Sequence, residues 1–175
     1  RRRFSITPYT SQWERRLTLR DGTSVAVRPV RPEDEALFVP FFEQISEDDL
    51  RLRFFTPHPD LSHGFLARLT QIDYARAMAF VALKPETGEM LGAVRIHAGE
   101  YAILVRSDLK GNGLGWELMQ MIVEYARADG LEEITGDVLR QNATMLEMCR
   151  GLGFAELHSS DDPGVVQVRL RLGEA

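Results

Sequence analysis

Alternating apolar and polar positions flank Asp21-Gly22 in the segment LTLRDGTSVAVRP, the pattern of a β-hairpin around a tight turn. A helix is predicted to open at Pro32-Glu33-Asp34, with proline early and acids in the first turn, where the helix dipole favours them. Leu37, Phe38, Phe41, Phe42 and Ile45 give it one apolar face. Pro40 falls inside and is expected to kink or divide it. A second short helix follows the capping residue Ser46, and a third runs through Phe65, Leu66 and Leu69 to end near Gln71.

Two strand-like runs, AMAFVALKP and EMLGAVRIH, are joined by Glu86-Thr87-Gly88, and EYAILV forms a further strand. Leu114, Leu118, Ile122 and Tyr125 or Ala126 then mark the buried face of a longer helix that Gly130 ends. EITGDVL reads as a strand, NATMLEMCRGLG as a helix with Asn142 at its start, and FAELHS and VVQVRLRL as a closing antiparallel pair. Strands joined partly by hairpins and partly by single helices indicate a mixed α/β sheet with helices on both faces.

The length of 175 residues fits one domain able to bury its own core. Residues 1–16 are read as an extended lead-in or linker and residues 17–175 as the domain. The chain does not begin with Met, which is expected of a piece of a longer protein or a trimmed one. A single cysteine, Cys149, excludes an internal disulfide and a cysteine-built metal cluster, and favours a reducing, cytoplasmic compartment. The net charge of −5 argues against general nucleic-acid binding. No apolar run approaches the ~20 residues that span a membrane, and the first residues lack a secretory pattern. The four histidines show no metal-ligand spacing, so no metal is expected.

The candidate chemistry centres on Arg106-Ser107-Asp108-Leu109-Lys110-Gly111-Asn112-Gly113-Leu114-Gly115-Trp116, between a buried strand and an amphipathic helix. Glycines let the backbone approach a ligand closely, and N–H groups at a helix start suit phosphate oxygens. Lys110 offers a counter-charge. The spacing fits neither the dinucleotide fingerprint G-x-G-x-x-G nor a P-loop, since no G-K-S or G-K-T occurs in the chain. Close packing around a tight turn is the other reading of these glycines.

Lys110 to Gly115 resembles the Q/R-x-x-G-x-G/A cofactor signature of the GNAT acetyltransferases, with lysine in the first position. Asn142 through Leu152-Gly153-Phe154 resembles the second signature of that family, and the element order agrees from about Leu17 to Leu172. LRLRFF (Leu50–Phe55), LTQIDY (Leu69–Tyr74) and EYAILVRSDLKGNGLG look most like Pat-type bacterial protein lysine acetyltransferases. In many of those enzymes the domain follows an NDP-forming acyl-CoA-synthetase-like region.

The resemblance implies a GNAT fold with a mixed, mostly antiparallel sheet of about seven strands. It implies acetyl-CoA as cosubstrate, held by Leu104, Val105 and Arg106 along the pantetheine arm. Lys110, Gly111, Asn112, Gly113, Leu114, Gly115 and Trp116 would bind its pyrophosphate, and Asn142 would reach the arm or serve only as a helix cap. Glu100 occupies the position of the catalytic glutamate in Pat-type domains and is the expected general base, with His97 as the alternative. Many relatives carry a tyrosine in the last helix that protonates the leaving thiolate; here that position is Cys149, readable as a different acid or as core. Glu43, Glu47, Asp48 and Asp49 fall where such folds shape the acceptor groove, and read either as a solvated face or as an attraction for lysine.

The implied acceptor is a protein with an exposed lysine, an acyl-CoA synthetase by resemblance. A small-amine or N-terminal acetyltransferase and a non-catalytic acyl-CoA sensor are the alternatives. Ala98-Gly99 is a poor two-residue turn, so a longer, mobile loop is expected beside Glu100.

Overall fold

The computed structural model describes residues 11–56, 59, 62–70, 77–157 and 162–173. Among them the strands are β1 (Arg15–Thr18), β2 (Ser24–Pro29), β3 (Ala77–Leu83), β4 (Met90–His97), β5 (Glu100–Val105), β6 (Glu133–Leu139), β7 (Ala155–Leu157) and β8 (Val165–Arg171). The helices are α1 (Glu35–Glu43), α2 (Glu47–Phe54), α3 (His63–Thr70), α4 (Leu114–Ala128) and α5 (Ala143–Leu152). The sheet has eight strands in the order β1-β2-β3-β4-β5-β6-β8-β7. Every neighbouring pair is antiparallel except β5 with β6. This is the mixed, mostly antiparallel sheet of about seven strands that was expected.

The sheet divides two cores. Phe80, Ile96, Leu118, Ile122 and Ile134 pack with α4 and α5 on one face, and Phe38, Phe42, Leu66 and Val81 with α1 and α3 on the other. Burial of this apolar surface, at about 25 cal/mol per Å², holds the helices on the sheet. Residues 11–16, read as lead-in, already join the domain. Trp13 is buried, with its ring centroid 5.7 Å from those of both Phe80 and Tyr125, and β1 begins at Arg15.

Local signals act as expected at most helix ends. Ser46 Oγ accepts from the Asp49 N–H at the start of α2, and Asn142 Oδ1 from the Met145 N–H at the start of α5. Pro40 does not divide α1, which runs from Glu35 to Glu43. Pro40 lies on the exposed side, where water can satisfy the carbonyl that loses its N–H partner.

The expected loop at Ala98-Gly99 is absent. The two residues close β4 onto β5 directly, with His97 paired to Glu100. Their φ values, 51° and 81°, are the two positive angles that a tight I′ hairpin requires. Ala98 takes a conformation that disfavours a side chain, so composition misled here. The Thr135 N–H donates to the Gly99 carbonyl at 2.9 Å and ties this turn to β6.

Candidate active site

β5 and β6 share one register pair, Glu100 with Thr135, and then part. The β4 side of β5 stays fully paired through Val105. In an antiparallel ladder the residues of one strand alternate between facing their partner and facing away. With His97–Glu100 closing the turn, Glu100, Ala102 and Leu104 direct their backbone groups to β4. Tyr101, Ile103 and Val105 therefore direct theirs into the opening toward β6. A cavity of about 880 Å³ fills this split and continues onto both faces of the sheet.

One end of the cavity is the glycine loop. Gly111 and Gly113 have φ of 84° and 95°, and a Cβ on Gly111 would meet nothing within 4 Å. The N–H groups of Gly111, Gly113, Leu114, Gly115 and Trp116 have no protein acceptor among the described residues. Five donors at the mouth of a fifteen-residue helix suit the oxygens of a pyrophosphate.

The side chains of this loop are placed differently from their backbone. Leu114 is fully buried in the core, and the Asn112 side chain accepts from the Asp21 N–H at 3.0 Å, tying the loop to the first hairpin. Lys110 Nζ is 2.6 Å from Asp49 Oδ1. Burial pulls the Asp49 carboxyl upward, but hydrogen bonds from Lys110 and Ser107 and the Lys110 charge hold it below the usual carboxylate range. Arg106 is held by Asp108 at 2.7 Å and Glu89 at 3.2 Å. Thus Leu114 contributes to the cradle through its N–H and its packing, whereas Asn112, expected to bind the cofactor, supports the loop from outside: its N–H donates to the Leu109 carbonyl at 3.3 Å, and its carbonyl accepts from the Arg20 N–H at 3.1 Å. Arg20, missed in the sequence, lies against the loop: its Nη1 is 3.3 Å from the Gly111 carbonyl, and its chain runs beside Gly113.

The other end belongs to the face under α2. Val94, Ile96, Tyr101 and Ile103 point into the core beneath α4, so Arg95, His97, Glu100, Ala102 and Leu104 point the opposite way. Glu100 is exposed there, directly across from His97. Arg53 of α2 lies over the Phe54 ring at 4.4 Å and near Arg95 and Glu100. Burial and the Arg95 charge push Arg53 down to about 10, against the opposing pull of Glu100. Burial also lowers Arg95, again against Glu100. Alternation along the chain does not reveal Arg53 or Arg95 as site residues, because nothing adjacent to either shows that it meets Glu100.

Cys149 is buried and is not among the cavity-lining residues, whereas Tyr101 is. The Tyr101 hydroxyl and Cys149 Sγ are 3.3 Å apart. Burial raises both groups above their ordinary values. The Tyr101 hydroxyl therefore stays protonated beside the thiol. Leu104, Val105 and Asn142 line the cavity, and Trp116 does so with its ring beside Gly151. His58, His158 and Gln71 to Tyr74 lie outside the described residues, as does the side chain of His63. Among the described residues no three-residue group suits a metal ion, and no helix is long and apolar enough to cross a membrane.

A sheet split between a parallel pair of strands, with a glycine-lined helix mouth at one end and a carboxylate at the other, defines an acyl-transferase architecture. The chain belongs to the acetyltransferase (GNAT) family, whose model matches residues 31–154. Over 163 residues it is 33% identical to an acetyltransferase of Pseudomonas aeruginosa, covering 89% of this chain and 88% of that protein. The GNAT domain of S. lividans PAT superposes with a TM-score of 0.85 at 31% identity, covering 94% of this chain and 100% of that one. The yncA protein of Salmonella typhimurium, solved with its cofactor acetyl-CoA, has a TM-score of 0.71 at 17% identity, covering 86% of this chain and 95% of that one. At that identity the likeness is one of fold alone.

Proposed function

We propose that this domain transfers acetyl from acetyl-CoA to the side-chain amine of a lysine on a protein, with Glu100 as general base. The observation that carries this reading is that Glu100 and the glycine loop border one cavity from opposite ends of the same strand, β5. When bound, acetyl-CoA supplies the thioester whose carbonyl carbon the amine attacks. The five loop N–H groups hold its phosphates, and the cleft-facing N–H of Val105 lies where it can donate to the thioester oxygen.

A lysine amine has a pKa near ~10.4, so it must shed a proton before attack. Glu100, exposed on the acceptor face, accepts it directly or through one water. A C–N bond forms, the C–S bond breaks, and the thiolate departs. Tyr101, which lines the split, is the source of a proton for it.

A protein acceptor is supported by the resemblance of LRLRFF and EYAILVRSDLKGNGLG to Pat-type domains, and by the likeness to the S. lividans PAT domain along its whole length. By the same resemblance the acceptor is an acyl-CoA synthetase in the cytoplasm, and the domain belongs to a longer chain with an NDP-forming acyl-CoA-synthetase-like region. The test is incubation with acetyl-CoA and a purified acyl-CoA synthetase, followed by mapping of acetyl-lysine by mass spectrometry. Acetylation confined to one or a few lysines is expected. CoA release that occurs only with free small amines contradicts a protein acceptor.

A further inference from the structure

The acceptor end of the cavity carries two arginines from different elements. Arg53 and Arg95 border it together with Glu100, and the carboxylates Asp137 and Glu147 line the same cavity. Neither arginine forms an ion pair among the described residues. Of the other charged groups, Asp49 is bound to Lys110 and Arg106 to Asp108 and Glu89, while Asp137 and Glu147 form no ion pair with either arginine.

Two like charges brought together out of water are costly, since each loses hydration and repels the other. The depressed Arg53 registers both effects. Such a pair is common where an anion completes the site, because guanidinium presents a planar fork that matches a carboxylate. The Arg53 side chain comes from α2 and that of Arg95 from β4, so the two approach from different elements and can close on one group. Both lie on the Glu100 face of the sheet and not at the glycine loop, which places the missing anion on the acceptor.

We infer that Arg53 and Arg95 form a subsite for a carboxylate carried by the acceptor close to its reacting amine. Under the function proposed above, that carboxylate is an aspartate or glutamate next to the target lysine; in a free amino acid it is the α-carboxylate. The two cations have a second consequence. A positive potential beside Glu100 disfavours an ammonium, so the bound amine loses its proton more readily than it does in water. The acceptor carboxylate then offsets the repulsion that an incoming lysine would otherwise meet.

The test compares blocked peptides that differ only in Glu or Gln beside one lysine, using wild type, Arg53→Gln, Arg95→Gln and the charge-retaining Arg95→Lys. Acetyl-CoA affinity, measured for each, confirms that the variants fold. Wild type is expected to prefer the Glu peptide in kcat/KM by about 10- to 100-fold, the range for a hydrogen-bonded charge pair. The ratio should fall toward one in both Gln variants and stay intermediate in Arg95→Lys. A wild-type ratio near one, or a preference that survives both Gln substitutions, overturns the subsite. So does an arginine-dependent preference that follows the acyl group, succinyl-CoA over acetyl-CoA. If no peptide is acetylated but free amino acids are, and their amides lose turnover only when the arginines are present, the protein acceptor fails and the subsite stands.

Discussion

The Tyr101 ring lies flat against Gly136, so close that a Cβ at position 136 would overlap Cε2, Cδ2 and Cζ. This contact sits one residue beyond Glu100–Thr135, the one register pair between β5 and β6. The ring acts as a wedge at the apex of the split, and glycine at 136 is the space it needs. Opposite, the ring meets Phe154 at 5.7 Å, which holds it in place. The Tyr101 ring thus fills the space over Gly136 beside the opening of the split.

Gly136→Ala is expected to destabilise the domain by about 1–3 kcal/mol, the usual cost of overpacking a core. Denaturant unfolding measures it. Tyr101→Ala should remove most of that penalty in the double variant, because the alanine methyl then has room. Additive losses would show that the wedge is not the cause.

Asp49 joins α2 to the cofactor loop through Lys110 and Ser107. Its pKa lies below the ordinary 3.8 in the folded protein, so its contribution is present above that pH and lost as pH falls through the folded value. Asp49→Asn should cost about 1–2 kcal/mol at neutral pH, discounted for the half-exposed Lys110. Urea titrations at pH 7 and pH 3 check the sign: the gap from wild type should shrink at the lower pH. A constant gap would assign the loss to packing.

Arg20 holds the Gly111 carbonyl and flanks Gly113. Arg20→Ala is expected to weaken acetyl-CoA binding about 3- to 30-fold through loss of a charge-assisted hydrogen bond and loop order. Calorimetric titration with CoA reads it directly, and an unchanged Kd would remove Arg20 from the cradle.

Much of the frame could be read from the chain because its signals are local. The caps Ser46 and Asn142, the Asp21-Gly22 hairpin and the apolar face from Leu114 to Ala126 each depend on near neighbours. The glycine cradle was equally legible, since glycine reports a backbone need that few other residues meet. Long-range pairings were not. Nothing adjacent to Lys110 shows that Asp49 holds it, nor does anything near Tyr101 announce the glycine it covers. Ala98 hid a tight turn because alanine is a poor residue for positive φ, yet the hairpin register imposes it. Arg53 and Arg95 became informative only when α2 and β4 brought them to Glu100.

Glu100→Gln tests most directly whether Glu100 activates the acceptor amine beside an acetyl-CoA site that it does not itself build. In this variant kcat is expected to fall about 10²- to 10⁴-fold, the usual contribution of a general base, while the acetyl-CoA Kd stays within about twofold. Turnover that persists near the wild-type rate in a variant that still binds acetyl-CoA would contradict it.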